Sequence, residues 1–214
     1  MNEVRPTQRE RRQRVRETIR AAAIEEFAAN GLAGTSTQAI ADRAGLSKAQ
    51  LHYYIDSKDE LYEEVLRDIV ADWRSIFLVS AAAAGPAAAI SGYIRAKIGH
   101  ALENPHVVRL FSREVAAGAP VLGRHWAPLR EAMEIAAGVL RGWIDEGRMA
   151  PVDPYMLQMH IWAVTQFYAD QQAHVRALLD LGDRPIDEAR VADEVVALFL
   201  TRCGLQLPEE ETRG

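Results

Sequence analysis

The 214-residue chain lacks the features that mark secreted, membrane and metal-binding proteins. Its one cysteine, Cys203, excludes an intramolecular disulfide and favours a reducing compartment such as the cytoplasm. Its longest weakly polar run, residues 76–90, is too short and too interrupted to cross a membrane, and the first residues lack a signal peptide's apolar core. The six histidines show no HxxxH spacing, so we expect no metal and no other cofactor.

Catalytic patterns are missing as well. The chain has no Walker loop and no GxGxxG motif, and Ser112, Arg113 and Glu114 are adjacent, so they would lie on different faces of a helix. We therefore expect that the protein is not an enzyme. A helical enzyme with a DNA-binding head stays a remote alternative.

Helix-breaking residues are few, with 9 Pro and 14 Gly, and the composition favours helices over strands. We predict an all-α fold of about nine helices, with three small helices at the N-terminus and a larger helical body. The predicted boundaries are a helix-turn-helix domain at 1–57, a helical ligand-binding and dimerisation domain at 58–206, and a tail at 207–214.

Positive charge is concentrated at one end of the chain. Residues 1–20 carry seven Arg against three Glu, a balance of +4, whereas the whole chain carries −5. A basic arm on an acidic body favours a polyanionic partner at that end, although a solvated tail that binds nothing is the alternative.

The segment that follows the arm has the proportions of a helix-turn-helix. A first helix with Val15, Ile19, Ala23 and Phe27 on one face should end at Asn30–Gly31. Hydroxyl residues three positions before Gln or Glu then predict capping boxes, at the pairs Thr35/Gln38, Ser47/Gln50 and Ser57/Glu60. Gly45 supplies the positive φ of a tight turn before a recognition helix that we expect to run from Ser47 through Tyr54.

Packing between these helices leaves one set of side chains facing outward: Lys48, Ala49, Gln50, His52 and Tyr53. Gln38, Lys48 and Gln50 have the reach and the hydrogen-bonding groups to read base edges in the major groove. The free amides at the helix starts, aided by Thr37, Ser47 and Lys58, suit phosphate. The alternative is an ordinary three-helix subdomain with polar caps.

The sequence FxxxGxxGTSTQAIADRAGLSKAQLHYYIDSKDELYEEVL resembles the DNA-binding region of the tetracycline-repressor (TetR) family of bacterial regulators, over about residues 12–66. The resemblance implies a homodimer that binds a palindromic double-stranded operator and carries a pocket for a small-molecule effector in each C-terminal domain. It also implies two sets of DNA contacts, to phosphate through Thr37, Ser47, Tyr53 and Lys58, and to the groove through Gln38, Lys48, Ala49, Gln50 and His52.

The segment of residues 90–172 resembles the branch of this family that regulates pyrimidine utilisation, which implies a pyrimidine base such as uracil or thymine as the effector. Trp162 and Gln166 are one helical turn apart, and flat aromatic walls with one amide suit a planar ring. The predicted pocket residues are Trp73, Trp162, Thr165, Gln166 and Tyr168, with Asp170 as a possible outer member. These residues can equally be ordinary core residues.

For the dimer we predict that two helices, at about 154–180 and 187–204, pair with their copies in a four-helix interface. The predicted interface residues are Leu157, Ile161, Val164, Val191, Val195, Leu198 and Phe199. We expect ligand to favour a spacing of the two recognition helices that no longer fits the operator, and so to release a repressor from DNA. An activator, or a regulator that responds to another small apolar metabolite or to a partner protein, is the alternative.

Overall fold

The computed structural model describes residues 7–81 and 85–206, with the side chains in these ranges except those of residues 74–81. Within them the fold is all helical, as predicted. The α-helices are α1 (Gln8–Gly34), α2 (Thr37–Arg43), α3 (Lys48–Leu51), α4 (Lys58–Ala81), α5 (Pro86–Glu103), α6 (Pro105–Ala116), α7 (Trp126–Asp145), α8 (Pro154–Asp170), α9 (Gln172–Leu178) and α10 (Glu188–Arg202), with a short 3₁₀-helix at Leu122–His125.

The described residues therefore hold ten α-helices instead of the predicted nine. The helix expected at 154–180 is two helices, because Gln171, at φ −106° and ψ 26°, leaves the helical conformation between α8 and α9. The other predicted breaks fall where Asn104–Pro105, Gly118, Gly147 and the segment 182–185 interrupt the chain.

The chain forms two compact units. The first comprises residues up to Ile69 together with Arg109–Gly123, and the second comprises Val70–Val108 and the residues from Arg124 onward. The boundary that we predicted after residue 57 thus falls inside the first unit, because the start of α4 and most of α6 belong with the N-terminal helices. The predicted tail at 207–214 lies outside the described residues.

The first unit is built on α1. Ile19, Ala23 and Phe27 are at most 2% exposed, and the ring of Phe27 meets that of Tyr62 edge to face at 4.9 Å between centroids. The carboxylate of Glu114, itself 3% exposed, accepts hydrogen bonds from the Tyr62 hydroxyl and from the amides of Val121 and Leu122. The three donors satisfy a carboxylate that would otherwise be costly to bury.

Residues 8–20 of the basic segment are part of this helix and not a separate arm. Thr7 and Glu10 form a capping box at the start of α1, so the chain is helical from Gln8 onward. The predicted end at Asn30–Gly31 is a kink, where Gly31 has φ 68° and ψ 176°. A Cβ atom at Gly31 would lie 3.0 Å from Nε of Arg113, which donates from Nη1 to the carbonyl of Ala29.

The core of the second unit lies among α5, α8 and α10. Ile94, Ile98 and Val196 are fully buried in it, together with Leu200 at 2% exposure. None of the helices within residues 7–81 and 85–206 is long and apolar enough to cross a membrane.

Candidate DNA interface and effector site

The recognition segment begins with a complete capping box. The Ser47 hydroxyl accepts a hydrogen bond from the Gln50 amide at 3.2 Å, and Oε1 of Gln50 accepts one from the Ser47 amide at 2.8 Å. Leu51 and Ile40 are both fully buried, and Gly45 has the positive φ of 68° that the turn requires. Buried side chains on its inner face and its own capping box thus fix the segment, and its outer face is exposed to solvent.

The α-helix is shorter than predicted, since regular helix ends at Leu51. Tyr53 and Tyr54 continue as a tighter turn, with their amides donating to the carbonyls of Gln50 and Leu51 at 3.1 and 2.8 Å. The cap of α2 also differs by one position. Ser36, and not Thr35, accepts from the Ala39 amide, whereas the buried Thr35 hydroxyl donates back to α1.

The predicted groove-facing residues share one exposed surface. Lys48, Ala49, Gln50, His52 and Tyr53 are all exposed, as is Gln38, whose amide donates to Asp42 at 2.7 Å. Tyr53 is 72% exposed, and the guanidinium carbon of Arg12 lies 5.9 Å from its ring centroid. The start of α1 therefore adds positive charge beside the recognition segment.

Two predicted phosphate contacts stand apart from this surface. Thr37 is only partly exposed in the first turn of α2. The Lys58 ammonium donates to the carbonyls of Leu32 and Thr35 at 2.7 and 2.8 Å. The two hydrogen bonds of Lys58 connect the start of α4 to the end of α1. Since an ammonium has three N–H groups, one of them remains for a phosphate.

In the second unit, α4, α5 and α8 bring together an aromatic cage around a lysine. The Lys97 ammonium lies 5.1 Å from the ring centroid of Trp73, 5.6 Å from that of Trp162 and 5.9 Å from that of Tyr93. The two Trp rings meet edge to face at 5.8 Å. We call Trp73, Tyr93, Lys97, Trp162 and Gln166 the cage.

Polar contacts fix the cage walls. The Trp162 indole donates to Oε1 of Gln166 at 3.3 Å, and the Trp73 indole donates to Nε2 of His100 at 3.4 Å. Burial and the nearby charge of Lys97 lower the pKa of His100, which keeps its ring neutral and able to accept that bond. Burial also lowers the pKa of Lys97 to about 8.

Three of the five predicted pocket residues meet in this cage, and two do not. The hydroxyl of the fully buried Thr165 donates to the carbonyls of Ile161 and Trp162 in its own helix. Tyr168 packs against the helical core and against Phe167, at 5.8 Å between ring centroids. The hydroxyl of Thr165 therefore has its hydrogen-bond partners within α8, and the side chain of Tyr168 faces the core.

Sequence reasoning missed Tyr93, Lys97 and His100. They stand at intervals of four and three on α5, which places them on one face of that helix. That spacing was a usable signal, but nothing in the sequence indicated that this face would meet two tryptophans from α4 and α8.

A small cavity of about 50 Å³, partly open to solvent, lies among α5, α7 and α8. Its walls are mostly apolar, and they include the amide of Gln158, which is 4% exposed. The Gln158 amide nitrogen donates to the carbonyls of Pro154 and Met133, whereas within the described residues its Oε1 accepts no hydrogen bond.

The predicted dimer interface needs correction. Five of its residues, Leu157, Ile161, Val191, Val195 and Phe199, are at most 8% exposed within the single chain, and Val164 packs against the same core. A partner cannot reach side chains that already form the chain's own core. Only Leu198, at 58% exposure, faces outward.

A different apolar stripe is exposed on the same helices. Met156, Met159 and Phe167 of α8 are 48%, 41% and 46% exposed, and their spacing places them on one face. Leu198 of α10 is exposed as well, and we call these four residues the outer stripe. Most of the predicted side chains therefore face the chain's own core, and the role of α8 and α10 in a dimer stays a prediction.

A short capped helix with a polar outer face, reached through a tight glycine turn, defines a helix-turn-helix DNA-binding protein. The family model described as "Bacterial regulatory proteins, tetR family" matches residues 19–65, and the one described as "YcdC-like protein, C-terminal region" matches residues 66–206. The chain belongs to the TetR family of transcriptional regulators, as its motifs predicted.

Relatives with the same organisation support this assignment. HTH-type transcriptional regulator RutR of Escherichia coli (strain K12) is 38% identical over 164 residues, which is 76% of this chain and 77% of that protein. A putative transcriptional regulator, SCO4942 of Streptomyces coelicolor, is 24% identical with a TM-score of 0.66, covering 90% of this chain and 99% of that one.

The ketosteroid transcriptional regulator KstR2 of Mycobacterium tuberculosis is 22% identical with a TM-score of 0.69, covering 94% of this chain and 98% of that one. These two structures show the fold. Proteins of this family are regulators that bind operator DNA and small-molecule effectors, and they are not enzymes.

Proposed function

We propose that the protein is a homodimeric repressor that leaves its palindromic operator when a pyrimidine base, uracil or thymine, occupies the cage. The observation that carries the proposal is the cage itself. Two tryptophan rings give flat walls, Gln166 offers an amide, and the Lys97 ammonium lies within 6 Å of both ring centroids. The resemblance of residues 90–172 to regulators of pyrimidine utilisation supports the same ligand class.

The chemistry of the ring suits these groups. A pyrimidine base presents N–H and C=O groups side by side at its edge, and an amide can accept from the first while donating to the second. The ring faces can stack on indole, which contributes beyond the area that is buried. An ammonium supplies a further, charge-assisted donor for a carbonyl oxygen.

On the DNA side, we propose that Gln38, Lys48, Ala49, Gln50 and His52 face the major groove. Ser47, Thr37, Tyr53 and Lys58 contact phosphate in the same proposal, with the basic first turns of α1 alongside. Since α3 has four residues, one subunit makes few base contacts, and specificity requires two half-sites held by a dimer.

We propose that the dimer forms through the outer stripe, which replaces the interface predicted from sequence. Exposed apolar side chains on α8 and α10 are available in the single chain, and a two-fold axis would place each stripe against its copy. Burying methionine, phenylalanine and leucine side chains supplies the apolar contact that such an interface needs.

The test begins with selection of binding sites from random double-stranded DNA, followed by titration of the selected operator with the protein. Uracil and thymine are then added to the complex, with adenine as the control ring. We expect release by uracil or thymine and none by adenine. Binding of these bases without release would refute the repressor mechanism, because a ligand shifts the equilibrium only if it binds the two states unequally.

A second candidate effector is another small apolar metabolite, and the cavity at Gln158 favours it. A mostly apolar space into which the unsatisfied amide oxygen of Gln158 faces suits an apolar molecule that carries a hydrogen-bond donor. Gln158→Leu and Gln166→Leu separate the two, since each should weaken binding only in its own site. A regulator that responds to a partner protein would give no release with any small molecule.

A further inference from the structure

The Lys97 ammonium is a cation surrounded by rings. Three ring centroids lie between 5.1 and 5.9 Å from Nζ, from Trp73 on α4, Tyr93 on α5 and Trp162 on α8. Among the residues that the structure describes, Nζ has neither a hydrogen-bond acceptor nor a carboxylate within ion-pair distance. Ring faces attract the charge, but they accept none of its three N–H groups in the way that an oxygen would.

The Lys97 ammonium in this arrangement has no hydrogen-bond acceptor from the described residues. A partly buried ammonium loses part of its hydration, and an acceptor that reaches its protons compensates for that loss. The lowered pKa of Lys97 is the expected mark of such a loss. A ligand in the cage with an oxygen towards Nζ would supply the acceptor. An amino group at the same place would not, because it and the Lys97 ammonium are both hydrogen-bond donors.

We propose that Lys97 determines the specificity of the cage, which accepts oxo-pyrimidines that present a carbonyl oxygen to the ammonium and rejects amino-pyrimidines. The inference rests on the proposed function and goes beyond it by assigning the choice between ring substituents to one residue. Gln166 selects less directly than Lys97, because its amide has both a donor and an acceptor whereas an ammonium only donates.

The experiment compares uracil with cytosine by calorimetry on the full-length protein. The two rings have similar size and the same C2 carbonyl, and they differ along one edge. Uracil has a carbonyl oxygen at C4 beside N3–H, whereas cytosine has an amino group at C4 beside an unprotonated N3. We expect wild type to bind uracil at least tenfold, and up to about a hundredfold, more tightly, since a hydrogen bond to a charged group is among the stronger ones.

Lys97→Met keeps the length of the side chain and removes the ammonium. We expect this variant to lose the ten- to hundredfold advantage in uracil affinity and to bind cytosine almost as wild type does. The two affinities should then be similar. Lys97→Arg restores a donor-only cation and should keep the preference for uracil. Gln166→Leu is the matched control, because it should weaken both rings and preserve their ratio.

Thermal unfolding separates specificity from folding, and the Met variant should melt at or above the temperature of wild type, because it no longer holds a dehydrated charge. Equal binding of uracil and cytosine by wild type would overturn this inference and leave the proposed function standing. An unchanged ratio in Lys97→Met would overturn it as well. Absence of binding by any of the rings would overturn both.

Discussion

Leu198→Asp and Val195→Asp form a matched pair that tests the outer stripe as the dimer interface. The two positions are one helical turn apart on α10, but Val195 is 3% exposed in the chain's own core whereas Leu198 is 58% exposed. The sequence pattern predicted both as interface residues. The structure predicts opposite outcomes for them.

The expected magnitudes follow from this difference in exposure. A surface substitution at Leu198 should change the stability of the single chain by within about 0.5 kcal/mol. In the dimer the change occurs twice, and two leucines that lose about 1–2 kcal/mol of burial each weaken association by about thirty- to several-hundredfold. Burying the two new charges weakens it further.

Val195→Asp should act on folding instead. An aspartate in an apolar core without a partner costs several kcal/mol, a large part of the roughly 5–15 kcal/mol that holds a domain together. We therefore expect that this variant unfolds or melts at a much lower temperature, whatever its state of association.

Sedimentation equilibrium, circular dichroism and operator binding are measured on both variants. Leu198→Asp should be a folded monomer that no longer binds the operator specifically. Phe167→Asp, on α8 of the same stripe, should behave in the same way. If the folded Leu198 variant stayed dimeric and bound DNA as wild type does, the outer stripe would not be the interface.

Three further predictions concern the two sites. Gln166→Leu should weaken uracil binding by about ten- to a hundredfold in calorimetry without lowering the melting temperature, because the ring loses its amide partner; unchanged affinity would place the ligand elsewhere. In binding to a panel of operator variants, Lys48→Ala should relax sequence preference by about 1–3 kcal/mol at the base pair it contacts, whereas Lys58→Met should weaken binding to all sequences and lower the melting temperature; the reverse pattern would exchange their assignments. Urea unfolding at pH 7 and pH 9 should show wild type gaining stability relative to Lys97→Met as the pH rises. The folded chain loses the Lys97 proton near the pKa of about 8 while the unfolded chain keeps it to about 10.5, so stability increases across that window; a constant difference would show that Lys97 is not desolvated.

The helix-turn-helix could be predicted from sequence because its signals are local. Ser47 and Gln50 cap their helix as their spacing predicted, and Gly45 has the positive φ that its place between two helices required. The cap of α2 was misplaced by one residue where three hydroxyl residues follow one another. The Thr35 hydroxyl donates to carbonyls of α1 and is therefore not available as a cap. The spacing of the residues alone does not show which of the three hydroxyls makes such a bond.

The buried face of α8 and the cage could not be predicted in full, for two different reasons. On α8, neighbouring apolar stripes run side by side, and periodicity does not show which of them meets the chain's own core. The cage depends on Trp73, Lys97 and Trp162, which are far apart in sequence and meet only after the helices pack. A lysine inside an apolar cage also contradicts its usual place at the surface.

The kink at Gly31 places two independent restrictions on one position. Any other residue there must adopt a φ of 68°, and its Cβ must also displace the Arg113 guanidinium from 3.0 Å. The steric restriction is the smaller one, because the end of the Arg113 side chain can shift by a few tenths of an ångström. The backbone restriction is severe, since even asparagine tolerates positive φ only with ψ of about 30–60°, and the ψ of 176° here leaves the position to glycine. Shortening Arg113 would make room for a Cβ atom and still leave any other residue strained.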